Sequence, residues 1–230
     1  MSEATQPKSK ERVKFAKTAS HITYKLKDGS RVPGASTIAK IGDDPSALIH
    51  WAWDLGMQKL DYKKVRETAA DIGTLGHFMI QCHLRDQEAD LSEFSKADQD
   101  KAETAFIKFL EFWDANKFKP EAIEWPLVSE KYRYGGTIDL LARDETGLAL
   151  LDWKTSKAIY RPYLIQLAMY QELWNEHNPK DPIKRRAIIR VGKEDAMDLE
   201  VRWLSDMGPY FEAAKAQLAL YRAFQTLPKQ

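Results

Sequence analysis

Gly135-Gly136-Thr137-Ile138-Asp139, followed thirteen residues after Asp139 by Asp152 in Leu151-Asp152-Trp153-Lys154-Thr155, decides the reading of this chain. The run between them, Leu140 to Leu150, reads as strand, tight turn, strand. Two carboxylates then sit near the same end of an apolar hairpin. Lys154 follows Asp152 by two residues, so on a strand both side chains point to one face. Carboxylates clustered on rigid strands suit a hard cation such as Mg²⁺. A lysine beside them can reach a phosphate, or a water held by the metal. Metal plus cation is the minimal equipment for phosphodiester hydrolysis.

The segment Leu148-Ala149-Leu150-Leu151 before Asp152 is continuously apolar, the mark of a strand buried on both faces. A carboxylate and a lysine at the end of such a strand need a metal, each other, or a solvent-filled cleft. For those two residues alone a plain salt bridge at the strand end is the better reading, because a carboxylate-x-lysine triplet is common by chance. The glycine pair shifts the balance, because paired glycines let a backbone or a ligand approach closely.

With these residues the chain resembles the PD-(D/E)XK nuclease superfamily, in particular its RecB-type exonuclease branch. The resemblance rests on Gly-Gly-Thr-Ile-Asp139, Asp152-Trp-Lys154-Thr-Ser and Gln166-Leu-Ala-Met-Tyr170. Upstream, Gly73-Thr-Leu-Gly-His77 is similar to the branch's histidine motif, and Glu124 in Ile123-Glu124-Trp125-Pro126 to its pre-hairpin acid. Val32-Pro33-Gly34-Ala35-Ser36-Thr37, with Trp51 following, is similar to its N-terminal segment. The match runs from about residue 30 to about 205, and its force lies in the ordered set. It implies Mg²⁺ or Mn²⁺ held by Asp139 and Asp152, with the Trp153 backbone carbonyl a ligand. His77 and Glu124 would complete or extend the metal site. Lys154 would position the attacking water, Gln166 would orient a water or phosphate, and Tyr170 would contact the scissile backbone.

The element pattern agrees with an α/β fold, a mixed central sheet flanked by helices. Asp44-Pro45 opens a helix as N-cap and first residue, with Ile49, Trp53 and Met57 as its apolar stripe. Helices follow over about 63–83 and 97–116, the latter carrying Phe106, Phe109, Leu110 and Trp113. Strands are expected over 122–128, 137–143 and 148–155, and a helix from Pro162 to about 176. Two more strands, 187–191 and 199–204, are joined by a polar turn from Gly192 to Asp195. A final amphipathic helix runs from Pro209 to Phe224. Trp51 and Trp53 read as core.

The 230 residues suit one domain over 21–230 behind a disordered basic tail over 1–20. The start is polar, without the apolar run of a signal peptide, and no stretch is long enough to span a membrane. A cytoplasmic setting, in a bacterial cell or a phage-infected host, is expected. The single cysteine, Cys82, excludes an internal disulfide and an iron–sulfur cluster built from four side chains of this chain.

A net charge of +1 does not announce a nucleic-acid protein, so DNA grip would come from a local groove. Lys157 and Arg161, with the Gln166–Tyr170 helix face, are the candidates. Lys184-Arg185-Arg186 also fits a solvated face, and for the Lys8-to-Lys17 arm a solvated face is the preferred reading. Tyr132, Tyr134 and Tyr160 fit base stacking or packing alike. The resemblance implies a stand-alone exonuclease in viral or bacterial DNA recombination, repair or processing. Linear or single-stranded DNA ends would be its substrate. A homo-oligomer or a recombination or replication partner protein would suit it. A structure-specific or defence endonuclease is the alternative. A DNA-binding or assembly protein that does not cut is the rival of another class.

Overall fold

The computed structural model describes residues 10–15, 22–192 and 198–228. Its centre is a five-stranded mixed sheet in the order β3-β4-β5-β6-β7. The strands are β3 (Lys119–Ser129), β4 (Tyr134–Asp144), β5 (Gly147–Lys154), β6 (Arg185–Val191) and β7 (Leu199–Trp203). β5 and β6 run parallel and all other neighbours antiparallel. The parallel pair needs a crossover, and α5 (Arg161–His177) supplies it. β4 and β5 turn back over Glu145-Thr146, with Gly147 at a φ of 123° and the Asp144 carboxylate accepting from the Thr146 amide.

The sheet is covered on both faces. On one side α1 (Ala35–Ile38), α5 and α6 (Gly208–Thr226) pack onto Ile138, Leu150 and Ile188. On the other, α3 (Tyr62–Leu84) and α4 (Lys96–Asn116) pack onto Leu140, Leu151, Trp153 and Ile189. Leu148 through Leu151 are fully buried, as a continuous apolar strand requires. The α4 face that enters the core is Ala102, Ala105, Phe109 and Phe112. Phe106, Leu110 and Trp113 flank that face and are only partly buried.

Four expectations need correction. Helix α2 (Ser46–Met57) begins one residue later than expected, with Pro45 as its cap and Asp44 bonded to the Ser46 amide. Its stripe of Ile49, Trp53 and Met57 is not core: these residues are 62%, 60% and 67% exposed. Periodicity marks an apolar face but does not say what covers it. Trp51 is half-buried, edge-on to Tyr62.

The tail expected over 1–20 contains structure. Arg12–Lys14 forms β1, paired in parallel with β2 (Glu88–Asp90). Lys10 pairs with Asp86 at 2.7 Å, and Arg12 lies 3.4 Å from Asp90. Phe15 sits edge-on to both Phe78 and Phe94. Opposite charge and one half-buried ring hold the strand, so these cations are spent within the protein. The polar turn expected after Gly192 lies outside the described residues. Among the described residues no helix is long and apolar enough to cross a membrane.

Candidate active site

The sheet register brings three carboxylates into one row. The β3–β4 ladder pairs Ile123 with Leu140 and Trp125 with Ile138, which sets Glu124 opposite Asp139. The β4–β5 ladder ends at Leu140 and Leu151, so the next pair along would be Asp139 and Asp152. The strands part where the acids begin. Glu124, Asp139 and Asp152 therefore lie side by side across three adjacent strands, at the end of the sheet to which β5 runs.

Like charges directly opposite on neighbouring strands repel. Two of the three are also buried, Asp139 at 9% and Asp152 at 1% exposed, and Glu124 is half-buried. Burial first, then repulsion from Asp139, pushes Glu124 up to about 8. Burial raises Asp152 to about 7, with Lys154 pulling it back and Asp139 pushing further. Burial also raises Asp139, against the opposing pull of Lys154 and of the Trp153 amide that it accepts from.

Lys154 is the counter-charge. Its Nζ stands 2.6 Å from Asp152 Oδ2 and 5.3 Å from the centre of the Tyr163 ring. Burial alone would lower its pKa, but Asp152 and Asp139 outweigh burial and raise it. It stays an ammonium ion.

The acids are under-satisfied. Asp139 Oδ2 and both Asp152 oxygens are buried without a well-formed hydrogen bond, the Lys154 contact being ionic. Buried carboxylate oxygens left in this state are ready ligands for a hard cation, and the residues present fit one. Among the described residues no three His, Cys, Asp or Glu side chains form a ready-made metal cage. Mg²⁺ does not need one: it is commonly held by one or two carboxylates, with water and substrate phosphate as further ligands. The expected set of His77, Glu124, Asp139 and Asp152 is thus not gathered round a single point. His77, on α3, lies edge-on to the Trp153 ring at 6.2 Å and close enough to favour the Asp152 anion. Trp153 itself is in the β5–β6 ladder opposite Ile189.

Glu124 is held differently from its neighbours. Its φ is 51°, in the left-handed region. For a residue with a Cβ this costs about 1–2 kcal/mol. Gln81 Nε2 donates to Glu124 Oε1 at 3.0 Å. Gln81 was not singled out in the sequence. Its only signal there is its place four residues after His77, which puts both on one helix face.

The glycine pair serves packing. A Cβ on Gly135 would lie 2.2 Å from the Tyr24 ring, and one on Gly136 2.6 Å from Tyr170 Cε1. Tyr24 and Tyr170 are what approach the backbone. Tyr24 also shares a 2.9 Å hydrogen bond with Thr137. Tyr170 is only 5% exposed, and its hydroxyl accepts from Gln166. Both belong to the wall behind Asp139. Tyr170 lies close enough to Asp139 and Asp152 for their charges to act on its hydroxyl. Its ring is used to hold Gly136, and burial puts its ionisation out of reach.

Of the expected DNA contacts, Lys157 is exposed and Arg161 is exposed but bonded to Asp43 at 3.0 Å. Tyr134 is fully buried, donating to the Met169 carbonyl, and Tyr132 packs on Phe211. Tyr160 is exposed. Lys184-Arg185-Arg186 lies far along β6, since Arg185 pairs with Ala149 whereas Arg190 pairs with Lys154. There Arg185 is bonded to Asp144 and stacks over Trp203, so it does not belong to the site. Cys82 is buried on α3.

A model of the PD-(D/E)XK nuclease superfamily matches residues 50–222, more than half of the sequence and the whole carboxylate row. The chain belongs to the PD-(D/E)XK nuclease superfamily. No curated protein matches it by sequence. Among solved structures it is similar to a "putative exonuclease" from Eubacterium rectale, at 15% identity and a TM-score of 0.45. That overlap covers 66% of this chain and 65% of the other, just under two thirds of its length. It is similar also to SSO0001, at 16% identity and a TM-score of 0.34, over 52% of this chain and 60% of that one. Overlaps this shallow carry no argument about activity. The superfamily membership and the five-stranded mixed sheet flanked by helices stand on the match and the fold.

Proposed function

We propose that this nuclease-superfamily protein is a divalent-metal-dependent deoxyribonuclease. We propose further that it acts as an exonuclease on linear or single-stranded DNA ends in recombination, repair or processing within the cytoplasm. The observation that carries the chemistry is the row Glu124–Asp139–Asp152, with its orphaned oxygens and Lys154 against Asp152. A site of this kind is unfavourable for folding alone, because it buries acids that repel. Its composition makes sense where charge and phosphate arrive together.

Asp139 and Asp152 would hold the ion. When bound, Mg²⁺ or Mn²⁺ supplies positive charge for the phosphate and a more acidic water. Lys154 keeps a second positive charge at the same strand end, where it offsets charge developing on the phosphoryl oxygens. Water attacks phosphorus, the bridging P–O bond breaks, and the departing oxygen gains a proton. Gln166 has its amide anchored on the Tyr170 hydroxyl, which fixes its carbonyl oxygen for a water or backbone contact. Lys157, exposed just beyond Lys154, supports the backbone grip.

The end preference rests on the RecB-type motif set and is the finer part of the reading. The test is a digestion series on linear and closed-circular DNA with Mg²⁺, Mn²⁺ or EDTA. Loss of linear DNA with persistence of circles supports the exonuclease. Rapid linearisation of circles moves the protein to the endonuclease reading. Metal-independent binding with no cleavage of either leaves the DNA-binding or assembly reading.

A further inference from the structure

Five non-glycine residues among those described have a positive φ: Lys59, Asp86, Lys117, Glu124 and Arg133. Lys59 and Asp86 lie in the turns after α2 and α3, Lys117 caps α4, and Arg133 sits in the β3–β4 turn. Glu124 alone lies inside a strand. At that point the β3–β4 ladder skips the Glu124–Asp139 pair while the pairs on either side keep register. A strained residue persists only where its surroundings hold it.

The holding groups come from one helix. His77, Gln81 and Arg85 are spaced i, i+4 and i+8 at the end of α3, a single stripe. Gln81 Nε2 donates to Glu124 Oε1 at 3.0 Å, and Arg85 donates to the Ile123 carbonyl at 3.2 Å. His77 lies against Trp153, beside Asp152. The stripe thus touches the strand on the residue before Glu124, on Glu124 itself, and next to the third acid of the row. A glutamine amide can donate to the carboxylate without adding a charge. A lysine or arginine there would neutralise the acid, and a glutamate would add a fourth repelling charge.

We infer that Gln81, backed by Arg85, is a positioning residue: it locks Glu124 in the left-handed conformation and so fixes its carboxylate in the row beside Asp139. It does not touch substrate in this role. The inference rests on the nuclease reading for its effect on activity, but its structural content stands apart from it.

The experiment compares wild type, Gln81→Met, Glu124→Ala and the double variant. Methionine keeps the length of the side chain and removes the donor. Crystal structures of wild type and Gln81→Met are the first readout. Glu124 in the variant is expected to return to extended φ, with the Glu124–Asp139 ladder contact restored. If Glu124 keeps its φ near that of wild type, the inference is overturned, whatever the protein does to DNA. Steady-state cleavage with Mn²⁺ is the second readout. Loss of an orienting partner typically costs about 10–100-fold in activity. The fall is expected in kcat, with KM for DNA changed by less than about threefold. In the Glu124→Ala background Gln81→Met should cost nothing further. Losses that multiply in the double variant contradict action through Glu124. Should wild type cut no DNA under any condition, the nuclease reading fails by itself and the crystal comparison still decides the positioning role.

Discussion

Gly136→Ala tests whether the glycine pair is there for packing. The added Cβ would stand 2.6 Å from Tyr170 Cε1 and 3.0 Å from both Tyr170 Cδ1 and Leu173 Cδ1. Carbon atoms are comfortable at about 3.5–4.0 Å, so the ring must retreat by about 1 Å. It has nowhere to go. Tyr170 is 5% exposed, Leu173 is fully buried, and the hydroxyl is tied to Gln166. Overpacking of this kind costs about 1–3 kcal/mol. For a chain of this size each kcal/mol lowers Tm by roughly 2–4 °C, so a fall of about 2–12 °C is expected. Gly56→Ala is the control. Nothing lies within 4 Å of its Cβ and it sits inside α2, so it should raise stability by about 0.5–1 kcal/mol. In a Tyr170→Ala background the Gly136→Ala penalty should vanish, because the clashing ring is gone. Thermal melts of the four variants decide it. A Gly136→Ala protein that melts with wild type, or a penalty that survives Tyr170→Ala, refutes the packing account.

The remaining expectations concern charge and the tail. Asp139→Asn should abolish cleavage while leaving the metal-free Tm at pH 8 unchanged or higher, since it removes a buried charge that the fold disfavours; a drop of more than about 5 °C contradicts this. Glu124 and Asp152 are raised acids, so between the normal carboxylate range and pH of about 8 the folded state holds more protons than the unfolded one. Metal-free stability should therefore fall as pH rises through that window, and Mn²⁺ uptake near pH 6.5 should release protons. Melts in EDTA at several pH values, and calorimetry in two buffers of different ionisation heat, read both. Deleting residues 1–17 removes β1 and the Phe15 contacts and should lower stability by about 1–2 kcal/mol, while the salt slope of DNA binding in Ca²⁺ stays within about half a unit. Lys157→Ala should reduce that slope by about one unit, and Arg161→Ala by less, because Arg161 is already bonded to Asp43.

The strands and long helices were legible because their apolar periodicity is strong. β5 is the clearest case: a run without a polar residue can only be buried on both faces. Asp152 and Lys154 followed from that strand, since charges at its end need an explanation, and Asp139 from the hairpin that β4 makes with it. Elements made by distant pairing were not legible. β1 exists because Arg12 to Lys14 meets Glu88 to Asp90, a match of charges some seventy residues apart that no local pattern displays. α1, at four residues, is too short for periodicity to register. The α2 stripe shows the opposite failure, where a clear apolar face turned out exposed. Glycines 135 and 136 announced a close approach, but only the fold names Tyr24 and Tyr170 as the approaching groups. The left-handed Glu124 carries no sequence signal, because glutamate is not a residue that predicts positive φ. Gln81 became visible only once β3 was placed against α3.

Asp139 and Asp152 are proposed to form a metal-dependent phosphodiesterase site with Lys154. The most direct test is cleavage of end-labelled linear DNA by wild type and Asp152→Asn, each in Mg²⁺, Mn²⁺ and EDTA. Wild type is expected to cleave with a divalent cation and not in EDTA, and the variant not to cleave under any condition. Cleavage by wild type in EDTA, or turnover by Asp152→Asn equal to wild type, would contradict it.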